Sequence, residues 1–206
     1  MPVRSSSIYY GDGGHPILHK GHKKVVQKLI DNKVGFVNLH YAVEYLKSQS
    51  DHVLAWLGGC YETGFSTNPH WIADIKELPT HPITREVKLF RLFDEWYFNI
   101  RFQPTARAVT PILKTTPSNR VQGTDAARKH PGCEKTLGWA FERADGGRWF
   151  GFTGGHHHKN WGDENFRRLL TKAILWTAGQ DIPDTGAPVA LEAADLNRNL
   201  DRKFRR

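Results

Sequence analysis

The residues best suited to chemistry are three consecutive histidines, His156-His157-His158, which follow the glycine pair Gly154-Gly155. In extended backbone successive side chains point to opposite faces, so His156 and His158 share one side and His157 takes the other. A His-x-His pair of this kind offers two neutral ring nitrogens to one ion. Zinc or another divalent metal suits them, with a third ligand such as His40 or Glu95 arriving from elsewhere in the chain. The bland alternative is a polar loop whose imidazoles bond to backbone and water. Gly154 and Gly155 would let the backbone approach a ligand closely.

Other candidates fall at the ends of apolar runs. His40 follows Val34–Leu39, where a strand would turn sharply into a helix, and an imidazole there can be a general base or a metal ligand. Asp94-Glu95 is an acidic pair beside Trp96 and Tyr97. Adjacent side chains rarely share one ligand, so one carboxylate faces a site at most; the other can hold Arg85, Arg91 or Arg101 in an ion pair. His15 follows the first strand and its glycine turn. Among the seven tryptophans, mostly core by composition, Trp71, Trp96 and Trp161 are those that could stack on a sugar ring.

The elements that must position these groups follow an α/β pattern. Ser6–Tyr10 reads as a strand closed by Gly11-Asp12-Gly13-Gly14, and Lys20–Asn32 as a helix with Val25, Val26, Leu29 and Ile30 on one face. Val34–Leu39 is then a second strand, and this β-α-β order predicts parallel pairing through a right-handed crossover. Tyr41–Lys47 reads as the helix leaving that strand. Ser66–Arg85, with Pro69, Pro79 and Pro82, is expected to be mostly loop and short helix. Val87–Phe93 and Ala108–Lys114 read as strands, with a polar excursion over Thr115–Pro131. Leu137–Arg143 and Arg148–Thr153 flank the hairpin signal Asp145-Gly146-Gly147. The clearest helix carries Phe166, Leu169, Leu170, Ala173, Ile174 and Thr177 on one stripe, with Asp163 as its cap and Gly179 as its stop. In an open parallel sheet ligands gather beyond the C-terminal strand ends, which is where His15, His40, Asp94-Glu95 and the histidine run fall.

Length and composition set the outer bounds. The 206 residues, 39% hydrophobic and 24% charged, suit one domain with its own core. We divide them into a domain over residues 1–185 and a basic helix or tail over 186–206. No apolar run approaches a membrane span, and the first residues hold no secretion signal. Location therefore reads as cytoplasmic if this start is genuine, or exported if a signal peptide lies upstream. The net charge of +8 owes much to Arg198, Arg202, Lys203, Arg205 and Arg206. Such a tail reads as a solvated helix end, and without a nucleic-acid motif we expect no nucleic-acid partner. Cys60 and Cys133 could form one disulfide at most and lie in no CxxC pair.

Several motifs in order carry a family likeness. Gly35-Phe36-Val37-Asn38-Leu39-His40-Tyr41-Ala42, then His81-Pro82-Ile83-Thr84-Arg85 with Asp94-Glu95-Trp96-Tyr97, then Gly151–Trp161 leading into Phe166-Arg167-Arg168-Leu169 and Ile174-Leu175-Trp176, resemble the trehalose-utilization (ThuA-like) family from about Ser7 to Pro183. The resemblance implies a flavodoxin-like three-layer sandwich with a mostly parallel sheet, related to class I glutamine amidotransferases and lacking the usual first strand-helix unit. It also implies a role, often bacterial, in carbohydrate metabolism. The elbow carries His40 rather than cysteine, so glutamine hydrolysis is not expected, nor is a nucleotide cofactor. The leading expectation is a small carbohydrate-type ligand, a sugar or oxidised sugar. His40, Glu95 and His156 would be catalytic, and His15, Asp94, Trp96, Tyr97 and Trp161 substrate-binding. His156 and His158 would hold any metal. The competing expectation is a non-catalytic carbohydrate-binding or interaction module.

Overall fold

Gly35–Leu39 (β2) is buried along its whole length, as suits a strand covered on both faces whose one polar side chain, Asn38, is hydrogen-bonded. It is the parallel neighbour of Ser6–Tyr10 (β1), reached through helix His22–Asp31 (α1), so the predicted β-α-β unit forms. The computed structural model describes residues 6–10 (as backbone), 18, 21–104 and 108–198.

On its other side β2 pairs in parallel with Arg148–Phe152 (β10), and the sheet then continues through antiparallel pairs to Lys135–Glu142 (β9) and Val109–Thr115 (β8). The order is β1-β2-β10-β9-β8. Half of its pairings are antiparallel, so the sheet is mixed, and the expectation of a mostly parallel one is corrected. The reason lies in the connections. The short turn through Asp145-Gly146-Gly147 between β9 and β10 can only join antiparallel strands, whereas parallel strands need a crossover.

Alternation along the strands feeds two cores. Val37, Leu39, Phe150 and Phe152 pack with Phe166, Leu169, Ala173 and Trp176 of helix Glu164–Thr177 (α4). Phe36, Trp139, Phe141 and Trp149 pack on the opposite face with Val26 and Ile30 of α1 and with Val53, Trp56 and Leu57 of helix Ser50–Leu57 (α2). Asp163 caps α4 as expected, its side chain accepting from the Phe166 amide.

Three local expectations are corrected. After His40 the chain makes a single 3-10 turn (His40–Val43) and a two-residue strand, Glu44–Tyr45 (β3), and the helix begins only at Ser50. β3 lies beside Gly59–Glu62 (β4), which in turn pairs with Arg101–Phe102 (β7). Within the proline-rich stretch, His70–Asp74 (β5) is a strand, and it pairs antiparallel with Arg91–Glu95 (β6), four residues beyond the predicted strand start. The polar excursion holds a short helix, Asp125–Arg128 (α3), whose cap is the Thr124 side chain. Among the described residues no helix is long and apolar enough to cross a membrane. In the 186–206 segment the described residues contain only a 3-10 turn, Asp195–Asn197. Cys60 is buried and Cys133 exposed, and both thiols are free; burial pushes the Cys60 thiol up to about 12, which makes it a poor nucleophile.

Candidate active site

His40 is the first residue beyond β2, and its backbone takes φ 53°, a left-handed conformation that costs a non-glycine residue free energy. Local bonds hold the turn in place. The buried Asn38 side chain donates to the Ala42 carbonyl at 2.8 Å and accepts from the Trp149 indole at 2.7 Å. His40 itself is 5% exposed. Its Nδ1 lies 3.0 Å from the Thr153 carbonyl, which can only accept, so Nδ1 carries the hydrogen and Nε2 of the neutral ring presents a lone pair.

Glu95 ends β6, and Asp94 before it faces the opposite way into the protein. The fully buried Asp94 carboxylate accepts from the backbone amides of Gly155 (2.7 Å), His157 (3.2 Å) and Glu95 (2.8 Å). One side chain thereby ties the strand carrying Glu95 to the loop carrying His156. Gly155 adopts φ 108°, and a Cβ on Gly154 would sit 2.3 Å from the Trp96 ring, so the glycine pair is needed for this path.

The outcome is a knot of polar atoms around His40 Nε2. His156 Nδ1 lies 3.1 Å from it, Glu95 Oε2 3.2 Å and the Tyr97 hydroxyl 3.2 Å, while His156 Nδ1 and Glu95 Oε2 are 2.9 Å apart. The other Glu95 oxygen accepts from the Asn68 side chain at 3.0 Å, and Tyr61 reaches Asn68 at 3.4 Å. His156 remains exposed, so the knot opens to solvent on that side.

Burial shifts the groups around the knot toward their uncharged forms. Burial lowers the His40 pKa, against the Thr153 carbonyl, Glu95 and Asp94, which raise it. Burial, then Glu95 and Glu44, raises the Tyr97 hydroxyl, and the same causes push Tyr61 up to about 12. Glu44 is raised by burial and then by Glu95. Tyr97 thus keeps its proton, and its hydroxyl stands 3.2 Å from His40 Nε2. That leaves two lone-pair atoms, His40 Nε2 and Glu95 Oε2, 3.2 Å apart. Such a contact calls for a shared proton or a cation. His40, Glu95 and His156 are a group that could hold a metal, their ligand atoms all lying within 4.8 Å of one another. A tetrahedral zinc with bonds of roughly 2.0–2.2 Å sets its ligands about 3.3–3.6 Å apart, a few tenths of an ångström wider than the spacings of 3.1, 3.2 and 2.9 Å found. The His40 Nδ1–H to carbonyl bond is the support that metal-bound histidines usually have.

The structure brings together His40, Glu95, His156 and Tyr97 of the expected residues. His158 does not join them. The backbone leaves the extended form at Gly155 and enters a 3-10 turn at His158, so alternation fails and His158 Nε2 donates to the Leu196 carbonyl instead. Asp94 is spent on backbone amides and faces no open space. Trp96 is fully buried and bonds the Leu92 carbonyl, Trp71 bonds the Trp96 carbonyl, and Trp161 packs edge-on against Phe166. None of the three is placed to stack on a ligand at this site. His15 lies outside the described residues. Asn68, Tyr61 and Glu44 escaped the sequence reading, for Glu44 and Tyr61 sit in the short strands β3 and β4 and Asn68 in the loop before β5, none within a motif. A cleft lined by Leu78, His81, Thr84 and Arg85 contains none of the clustered groups.

Among solved structures, two similar ones are ThuA-like proteins. A ThuA-like protein from Bacteroides uniformis matches at TM-score 0.62 and 18% identity, over 84% of this chain and 69% of that one. Another, from Parabacteroides merdae, matches at TM-score 0.58 and 14% identity, over 85% and 71%. At these identities the likeness shows the fold alone. A search of the curated proteins found no match. The family model described as trehalose utilisation matches residues 8–177, most of the chain and all of the clustered residues, and the protein belongs to the ThuA family.

Proposed function

We propose that this ThuA-family chain is an enzyme acting on a sugar or oxidised sugar derivative, with His40, Glu95 and His156 as its reaction centre and a divalent metal, zinc by ligand chemistry, held among them. The observation that carries the reading is the His40 Nε2 to Glu95 Oε2 contact of 3.2 Å between two atoms that both present lone pairs. A bound cation relieves that repulsion and would polarise a substrate oxygen. Tyr97, whose burial disposes it to keep its proton, supplies a donor beside it. Such a set serves isomerisation, hydrolysis and proton abstraction beside a carbonyl alike. The strained His40 backbone supports a functional role, since such conformations persist where the surroundings enforce them. The rival reading, a carbohydrate-binding module, wants open aromatic faces, and the tryptophans proposed for it are buried or turned into the core.

The test uses untagged protein. Metal content after zinc incubation and dialysis should approach one or more ions per chain and fall with His40→Ala, Glu95→Gln and His156→Ala. NMR of the protein with trehalose, and with trehalose oxidised to a carbonyl form, should show turnover that the same variants abolish. Wild type that neither retains zinc nor converts any sugar in such a panel would overturn the reading.

A further inference from the structure

A second pair of histidines stands against the first cluster. His70 opens β5, and the ribbon register sets it directly opposite Glu95. Directly opposed residues project to the same face, so His70 shares the Glu95 side. Its Nδ1 lies 3.3 Å from His157 Nε2. The His156 ring centroid is 5.0 Å from that of His70 and 5.0 Å from that of His157. All four rings, from His40 outward to His70, thus form one continuous group.

We propose that His70 and His157 form a second divalent-metal position beside the His40–Glu95–His156 centre. Their nitrogen spacing of 3.3 Å is the bite that two ligands of one tetrahedral ion show, about 3.3 Å for bonds of 2.0–2.1 Å. The pair is also held ready. His157 has its backbone amide on the buried Asp94 carboxylate, and the Phe93 ring lies nearly parallel to both imidazoles, at 24° to His157 and 27° to His70. Phe93 fixes the planes of both rings, and Asp94 fixes the chain that carries one of them. Imidazole ligands select zinc, copper, nickel or cobalt over magnesium and calcium. With two protein ligands the ion keeps more open positions than its three-ligand neighbour, so it is the weaker of the two and has more room for substrate oxygens. Two ions side by side would grip adjacent oxygens of a sugar-type substrate, a deeper form of the function proposed above and dependent on it only for the neighbouring ion.

The experiment titrates metal-stripped, untagged protein with zinc by calorimetry, with elemental analysis of the loaded protein. Wild type should take up two ions, one at least tenfold weaker. His70→Ala and His157→Ala should each take up one, having lost the weak phase, while His40→Ala keeps the weak phase and loses the tight one. His70 is exposed, so its truncation leaves the core intact, and matched melting curves check this. One ion in wild type, unchanged in His70→Ala, overturns the second position and leaves the first. One ion lost in His70→Ala but kept in His40→Ala supports the second position and overturns the metal reading of the first. No ion in wild type overturns both.

Discussion

The buried carboxylate of Asp94 accepts the backbone amide of Gly155 at 2.7 Å, and so joins two segments 61 residues apart in sequence. It is a positioning residue: what it holds is the placement of Glu95 and His156 relative to each other. Asp94→Asn keeps the shape but offers one acceptor and turns an NH2 toward an amide N–H. We expect zinc affinity to fall about 10–100-fold, the usual effect of losing a supporting partner, with a stability loss of about 1–3 kcal/mol. A cobalt-substituted sample should show altered ligand-field absorption, which a general loss of stability would not produce. A variant that folds and binds cobalt with wild-type spectrum and affinity would remove the positioning role.

Gly154 tests the packing beneath the same loop. Its missing Cβ leaves room for the Trp96 ring, which is fully buried with its indole donating to the Leu92 carbonyl at 3.0 Å. Gly154→Ala forces either the ring or the loop to move. The expected cost is about 1–3 kcal/mol, read from urea midpoints with the tryptophan emission recorded alongside. An alanine variant as stable as wild type would show that the ring has free space after all.

Much of this arrangement was legible because it follows from local rules. The β1-α1-β2 unit, the β9–β10 hairpin and the Asp163-capped α4 all announce themselves by periodicity, turn residues or caps, and His40 was marked by its place at a strand end. What the sequence concealed depends on partners distant in the chain. β5 hides between prolines because a strand of five residues fits there only when β6 is present to pair with it. The His158 expectation failed because an extended alternation was assumed through Gly155, whose φ of 108° breaks it. Trp96 sits beside the acidic pair in sequence yet points into the core, since neighbours on a strand face opposite ways.

His81 gives a prediction in pH. Its Nδ1 accepts from the Ile83 amide at 3.1 Å, a bond that requires the neutral ring, and the ring packs edge-on against Trp176. Burial lowers its pKa, with Glu142 opposing and Arg148 assisting. The folded value lies below the unfolded one, about 6.5. Above that pH both states are neutral and the contribution is intact. As pH falls below it the unfolded chain takes the proton first, and stability is lost until the folded ring titrates too. His81→Gln keeps an acceptor and removes the titration. Its stability should therefore decline less steeply than wild type between about pH 6.5 and 5, as measured by denaturant melts across that range. Parallel curves would show that His81 titrates alike in both states.

Lys172 offers the opposite experiment, a substitution that should stabilise. It lies on α4 with no exposed surface, and among the described residues its Nζ has no hydrogen-bond partner. Burial, then Arg168, lowers its pKa to about 8, with Glu86 opposing and Arg85 adding to the fall. In the unfolded chain the ammonium titrates near 10.5. Between roughly pH 10.5 and 8 the unfolded state holds a proton that the folded state lacks, so stability drops as pH falls through this window and levels off below it. At pH 7 the folded protein thus carries a buried, unsatisfied cation. Lys172→Met has similar length and no polar atom, and by removing that burden it should raise stability by about 1–3 kcal/mol at pH 7. The advantage should shrink when the melts are repeated at pH 10, where the wild-type amine is neutral in the folded state. A methionine variant less stable than wild type at pH 7 would mean that the ammonium is satisfied in solution, by Glu86 or by water, and that its burial carries no such penalty.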